Sequence, residues 1–133
     1  MQKYKRVVGE TRPVIAMVQL AEMPGTPLYE SEAGIDGMIA AGKRQGSHFY
    51  TLLGGEPMLY PRIWDVIRRH RDCYFQVITN GLFFDQQNAD RIYRAGNVTP
   101  LVSIDGFEAN NDDRRGRGVF QKAMEGMARL KQR

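Results

Sequence analysis

The residues best suited to chemistry follow the second apolar segment of the chain, where Gly54, Gly55, Glu56 and Pro57 stand in a row. Adjacent glycines allow positive φ angles and a close approach of the backbone to a ligand, and a proline fixes the direction in which the chain leaves. Ligands bind at the carboxyl ends of strands in parallel sheets, so Glu56 would lie at a candidate site. An acidic residue favoured by the dipole of the following helix is the simpler explanation.

Polar residues also follow the third and fourth apolar segments. Thr79, Asn80 and Gly81 come at the end of the third, and Ser103 and Asp105 come at the end of the fourth. In a parallel sheet these residues would lie at the same edge as the glycine turn. Asn-Gly is also an ordinary turn sequence, so this pair has a purely structural explanation as well.

Four strand–helix units are predicted to position these residues. The first apolar run is nearly continuous, as in a parallel strand covered on both faces. Apolar residues that recur at helical spacing predict the helices. Strands are predicted over residues 13–20, 48–53, 73–79 and 98–104. Helices are predicted over residues 31–45, 61–71, 85–95 and from residue 119 onward, with Ser31 as the N-cap of the first helix and Gly96 at the end of the third. A long loop is predicted over residues 105–118.

The expected fold is one α/β domain over residues 1–133. Four βα units amount to half of a TIM-type (βα) barrel with a parallel sheet; the alternative is a flattened, flavodoxin-like sheet with helices on both faces. A half-barrel would expose the apolar inner face of its sheet and leave strand edges unpaired. We therefore expect self-association into a homodimer or a larger assembly.

Composition excludes several classes of protein. The 133 residues are 42% apolar, which suffices for one core, and they contain no apolar run that predicts a membrane span or a signal peptide, so we expect a cytoplasmic protein. One cysteine and two histidines exclude an internal disulfide and are too few for a conventional zinc site. The net charge is +4, and we attribute the basic C-terminal residues to a solvated helix face rather than to nucleic-acid binding.

Four short motifs over about residues 47–133 resemble those of radical S-adenosylmethionine (radical SAM) enzymes. They are Gly-Gly-Glu-Pro at residues 54–57, Ile-Thr-Asn-Gly at 78–81, Val-Ser-Ile-Asp-Gly at 102–106 and Arg-Arg-Gly at 114–116. The resemblance implies a partial (βα)6 barrel, of which this chain would supply strands one to four. It also implies a SAM site in which the glycine turn and Glu56 approach the amino group of the methionine. In that site polar residues face the ribose and sulfonium, and an arginine pairs with the methionine carboxylate. The residues that the resemblance implies are Gly54, Gly55, Glu56, Thr79, Asn80, Ser103, Asp105 and Arg115, with Arg114 as a substitute.

The chain departs from that family in one respect. The family's Cys-x3-Cys-x2-Cys motif, which holds a four-iron, four-sulfur cluster after the first strand, is absent from residues 21–31. We therefore expect no iron–sulfur cluster, no catalytic residue and no metal ligand in this chain. Cys73 begins a predicted strand and is interpreted as a small buried apolar residue.

The first unit carries a second resemblance. Met17-Val18-Gln19-Leu20 and the Pro-Gly-Thr-Pro of residues 24–27, within about residues 10–45, look like the start of the BtpA family of TIM-barrel proteins. A BtpA-like unit over residues 1–46 joined to radical-SAM-like units over residues 47–133 would be a chimera, made by recombination or by an engineer. The alternative is one divergent family that lost its cysteine loop.

Several functions stay open at this point. The first is a non-catalytic relic or fragment of a radical SAM protein that keeps weak binding of SAM or a nucleotide. A fragment of an enzyme related to radical SAM iron–sulfur oxidoreductases is an alternative to it. The second is a fold-only chimera with no ligand. A BtpA-like enzyme or assembly factor is the least favoured, because one βα unit cannot supply a barrel's active site.

Overall fold

The computed structural model describes residues 15–19 and 33–132. Its four strands are β1 (Ile15–Gln19), β2 (Phe49–Leu53), β3 (Tyr74–Thr79) and β4 (Val98–Val102), all parallel and in the order β1-β2-β3-β4. Because parallel crossovers are right-handed, an unreversed order places the connecting helices on one face. A flavodoxin-like sheet would need a reversal of strand order, so the half-barrel prediction is confirmed for the described strands.

Five helices accompany these strands in the described part of the chain: α1 (Ala33–Arg44), α2 (Ile63–Arg69), α3 (Gln86–Ala95), α4 (Glu108–Arg115) and α5 (Val119–Lys131). A single 3-10 turn, Pro57–Leu59, precedes α2. The side chain of Asp85 caps α3, and Gly96 ends it in the left-handed conformation, as predicted. None of the helices described here is long and apolar enough to span a bilayer.

The two faces of the sheet differ in how far the described helices cover them. Tyr50, Leu52, Phe75 and Val77 are buried together with apolar residues of α1 and α2. Side chains alternate across a strand, so the intervening residues form the other face. There, Met17 is 69% exposed and Leu101 is 48% exposed, while the Thr51 hydroxyl donates to the Gln76 side-chain oxygen across β2 and β3.

The outer edge of β4 is interrupted by Pro100. The Ser103 N–H donates to the Thr79 carbonyl, and the Asn97 carbonyl accepts from the Phe75 N–H. The backbone N–H and C=O groups of odd-numbered residues along β4 therefore point towards β3. Pro100 therefore lacks its N–H on the edge of β4 that pairs with no strand of the described residues, and this removes one donor from any added strand.

The predicted loop over residues 105–118 is wrong in part, because it contains α4. Its sequence, Glu-Ala-Asn-Asn-Asp-Asp-Arg-Arg, has no apolar stripe, so periodicity gave no signal. Two side chains connect α4 to the segments before and after it: Asn111 is buried and accepts from the Asp105 N–H, and Asp112 accepts from backbone N–H groups at the start of α5.

The helix predicted from residue 61 begins two residues later, at Ile63. The predicted cap Ser31 and residues 20–31 lie outside the described residues.

Candidate functional site

The turn after β2 is held by the side chain of Glu56. Gly54 has φ +139°, a conformation that favours glycine, and Glu56 then begins the 3-10 turn by accepting the Met58 N–H at 3.0 Å. The carboxylate also accepts the Thr79 hydroxyl at 2.7 Å on Oε1 and the Asn80 N–H at 2.8 Å on Oε2. One carboxylate thus joins the carboxyl ends of β2 and β3.

Gly55 lies beside open space. Its φ is not positive, and a Cβ built there meets no atom of the described residues within 4 Å. Neither backbone conformation nor packing against these residues therefore requires glycine at this position. Because Gly55 has no side chain, the backbone of this turn is open to a closely approaching ligand.

The residues after β3 form a tight turn. The Thr79 hydroxyl, which is buried, accepts the Gly81 N–H at 3.2 Å as well as donating to Glu56. The Asn80 side-chain oxygen accepts the Leu82 N–H at 2.9 Å, which is an Asx turn. Asn80 therefore has the ordinary turn role that the sequence also allowed, and its backbone lies at the rim beside Glu56.

An ion pair lies after β4. The Asp105 Oδ2 accepts from Arg115 Nε at 2.7 Å, and Arg114 Nη1 is 3.9 Å from the other carboxylate oxygen. The side chains of Asp105 and Arg115 are each less than a third exposed. Helix α4 ends at Arg115 and so brings this guanidinium back to the carboxyl end of β4. The Ser103 N–H is used by the sheet, in a bond to Thr79 O.

The family follows from a comparison with protein-family models. The model described as the Radical SAM superfamily matches residues 12–133. The chain belongs to the radical SAM superfamily. It is also 31% identical over 90 residues to an AdoMet-dependent heme synthase of Methanosarcina barkeri (strain Fusaro / DSM 804), a stretch that covers 65% of this chain and 26% of the relative. The chain spans about a quarter of the length of that relative.

Radical SAM membership confirms the resemblance over residues 47–133 and extends it to residue 12. The matched region therefore includes residues on both sides of the proposed junction near residue 46. The BtpA-like origin of the first unit and its joining to the rest stay predictions.

Asp112 is a residue of this radical SAM chain that sequence reasoning missed. Its carboxylate accepts the Phe120 N–H at 2.9 Å and the Gly118 N–H, which holds α4 against the start of α5. These bonds to the charged form lower the pKa of Asp112, the Phe120 bond most. An acidic residue shortly before a helix start was the available signal.

A second cluster of potential ligands lies at the opposite, amino-terminal edge of the sheet. Ligand atoms of His48, Asp72 and Cys73 lie within 4.8 Å of one another. The Lys43 ammonium donates to Asp72 at 2.7 Å, so a cation already neutralises that carboxylate. Burial, followed by the charge of Asp72, raises the pKa of the Cys73 thiol to about 11. A metal ion would have to displace the ammonium and deprotonate this thiol, so the cluster favours a structural role, and the predicted burial of Cys73 is confirmed.

Proposed function

We propose that the carboxyl ends of β2, β3 and β4 form a weak SAM-binding rim and that this chain alone performs no radical chemistry. The observation that carries the proposal is the open position at Gly55, where neither the backbone conformation nor the described neighbours require a glycine. A ligand that approaches the turn gives this residue a reason to lack a side chain.

The charges at the rim suit the methionine end of SAM. That end carries an ammonium and a carboxylate, and the rim offers a carboxylate at Glu56 and a guanidinium at Arg115. Backbone carbonyls of Gly54 and Gly55 would accept from the ammonium, and Arg115 would pair with the carboxylate. Asn80, Ser103 and Asp105 would lie towards the ribose and sulfonium, whereas Thr79, at the same strand ends, is buried and bonds Glu56.

The residues present do not fit an iron–sulfur cluster. Three thiolates are needed, whereas the chain has one cysteine, and that cysteine is buried at the amino end of β3 with a raised pKa. The proposal for this chain therefore stops at binding. SAM cleavage or any later reaction would need groups from elsewhere.

A fold-only role is the second candidate, and hydrogen bonding at the rim favours it. Both oxygens of Glu56 accept hydrogen bonds within the chain, and Asp105 and Arg115 satisfy each other. A rim with its polar groups satisfied internally can be stable without a ligand.

Calorimetric titration with SAM separates these candidates, together with melting curves. We expect a dissociation constant weaker than micromolar for the wild type and about tenfold weaker binding for Gly55→Ala, the equivalent of roughly 1.4 kcal/mol. The melting temperature of Gly55→Ala should not fall, because its methyl group meets no described atom.

Gly37→Ala is the matched control. Gly37 lies on an exposed position of α1, and a Cβ there also meets no described atom within 4 Å. This variant should bind SAM like the wild type. Absence of any SAM binding by the wild type at millimolar concentration would refute the proposal, and equal affinity of Gly55→Ala and wild type would remove its main support.

A further inference from the structure

The carboxylate of Glu56 is already engaged by three donors of the chain. They are the Met58 N–H at 3.0 Å, the Thr79 hydroxyl at 2.7 Å and the Asn80 N–H at 2.8 Å. Charge-assisted bonds of this length are strong and fix the direction of the carboxylate. They also fix the backbone of Glu56 relative to the end of β3.

Thr79 is the side chain that completes this arrangement. It is 2% exposed, its hydroxyl donates to Glu56, and the same oxygen accepts the Gly81 N–H. A hydroxyl has one proton, so the bond from Gly81 directs that proton to Glu56. The strand end, the turn after it and the glycine turn after β2 are thereby linked through one oxygen.

We propose that Thr79 is a positioning residue for the rim, and that Glu56 contributes to SAM binding by holding the backbone of residues 54–56 rather than by touching the ligand with its carboxylate. The inference rests on the proposed SAM site and deepens it. Binding then depends on carbonyls whose directions are set by the Glu56–Thr79 pair, because a pre-ordered turn loses less entropy when a ligand binds.

The hydrogen bonds can be tested without a ligand. In NMR spectra, the amide proton signals of Met58 and Asn80 should both lie downfield in the wild type, because both N–H groups bond the Glu56 carboxylate. Both signals should move upfield in Glu56→Gln, whose side chain carries no charge. If Glu56→Gln leaves both amide signals in place while the wild type binds SAM, the inference is wrong and the proposed function stands.

The role in binding is tested with a double-mutant cycle. Thr79→Val removes the hydroxyl with little change of shape, and Glu56→Gln replaces one acceptor oxygen by an NH2 group, which cannot accept the N–H of Met58 or of Asn80. We expect each variant to weaken SAM binding about tenfold, the equivalent of roughly 1.4 kcal/mol, and the double variant to bind no more weakly than either. Thr79→Ser keeps the hydroxyl and should restore wild-type affinity and the Asn80 amide shift.

Thr51→Val is the matched control, since it removes a buried threonine hydroxyl that bonds Gln76 and not Glu56. It should bind SAM like the wild type. A large loss for Glu56→Gln with wild-type affinity for Thr79→Val would mean that the carboxylate touches the ligand, and would overturn the inference. A wild type that binds no SAM, in a protein whose Met58 and Asn80 amide signals still move in Glu56→Gln, would overturn the proposed function and with it the role assigned to Thr79.

Discussion

Replacing Gly42 by alanine should destabilise the protein, although alanine is normally the better helix residue. Gly42 lies in α1 opposite the fully buried Tyr50, and a Cβ at Gly42 would lie 2.5 Å from the Tyr50 hydroxyl oxygen and 3.1 Å from a ring carbon. That hydroxyl lies 2.9 Å from both the Ile39 and the Ser47 carbonyl oxygens, which share its single proton. The tyrosine therefore cannot move away without losing hydrogen bonds in the core.

The size of the effect follows from these contacts. Overpacking a core costs about 1–3 kcal/mol and loss of a buried hydrogen bond costs about 1 kcal/mol. The gain in helix propensity from glycine to alanine is at most about 1 kcal/mol, so we expect a net loss of about 2 kcal/mol. For a domain of this size that corresponds to a fall in melting temperature of roughly 8 °C.

Urea unfolding and melting curves measure the loss, and Gly37→Ala in the same helix is the control. No described atom lies within 4 Å of a Cβ at Gly37, so this variant should be as stable as the wild type or slightly more stable. Combining Gly42→Ala with Tyr50→Phe removes the closest contact, and the double variant should lose less than the sum of the single losses. Equal stability of Gly42→Ala and Gly37→Ala would refute the packing of α1 on β2 as described.

Three further predictions concern groups elsewhere in the fold. Burial raises the pKa of Cys73 to about 11, so thiol reagents should label it slowly in the native protein at pH 8 and rapidly in denaturant; fast native labelling would contradict its burial. The Phe120 and Gly118 N–H groups lower the pKa of Asp112, so its contribution to stability is present at neutral pH and is lost as pH falls through its folded pKa. Urea unfolding should give a lower free energy of unfolding for Asp112→Asn than for the wild type at pH 7, and this difference should close below about pH 4. We expect the exposed sheet face around Leu101 to pair with a second copy, so light scattering should give a dimer or larger species for the wild type and a lower mass for Leu101→Lys, whereas a wild-type monomer at all concentrations would exclude self-association.

The rim could be predicted because its residues end apolar strands. Parallel strands in sequential order bring their carboxyl ends to one edge, so Glu56 and Thr79 were expected to lie close together, and they share a hydrogen bond. Whether they bind a ligand stays a prediction. The sequence motif identifies the residues, but it does not say whether their polar atoms face a ligand or one another.

The segment after β4 could not be predicted, because the contacts that order it are polar and involve few residues. Helix α4 lacks an apolar stripe and depends on Asn111 and Asp112, which bond backbone groups before and after it. Arg115, which the family resemblance directs to a ligand carboxylate, pairs with Asp105. Patterns of apolar residues report burial, whereas these side-chain bonds depend on the turn geometry that the helix itself creates.

The contacts of α1 bear on the origin of the first unit. The Tyr50 hydroxyl lies against Gly42, and the His70 ring lies between α1 side chains, with Nε2 2.7 Å from Asp36 and Nδ1 3.1 Å from Lys43. Each contact needs matching residues on both sides of residue 46. Selection on one continuous chain supplies such matched pairs, whereas joining two unrelated units does not by itself. A family match that begins at residue 12 and contacts across residue 46 are what one divergent radical SAM lineage predicts, and the join of two families stays a prediction.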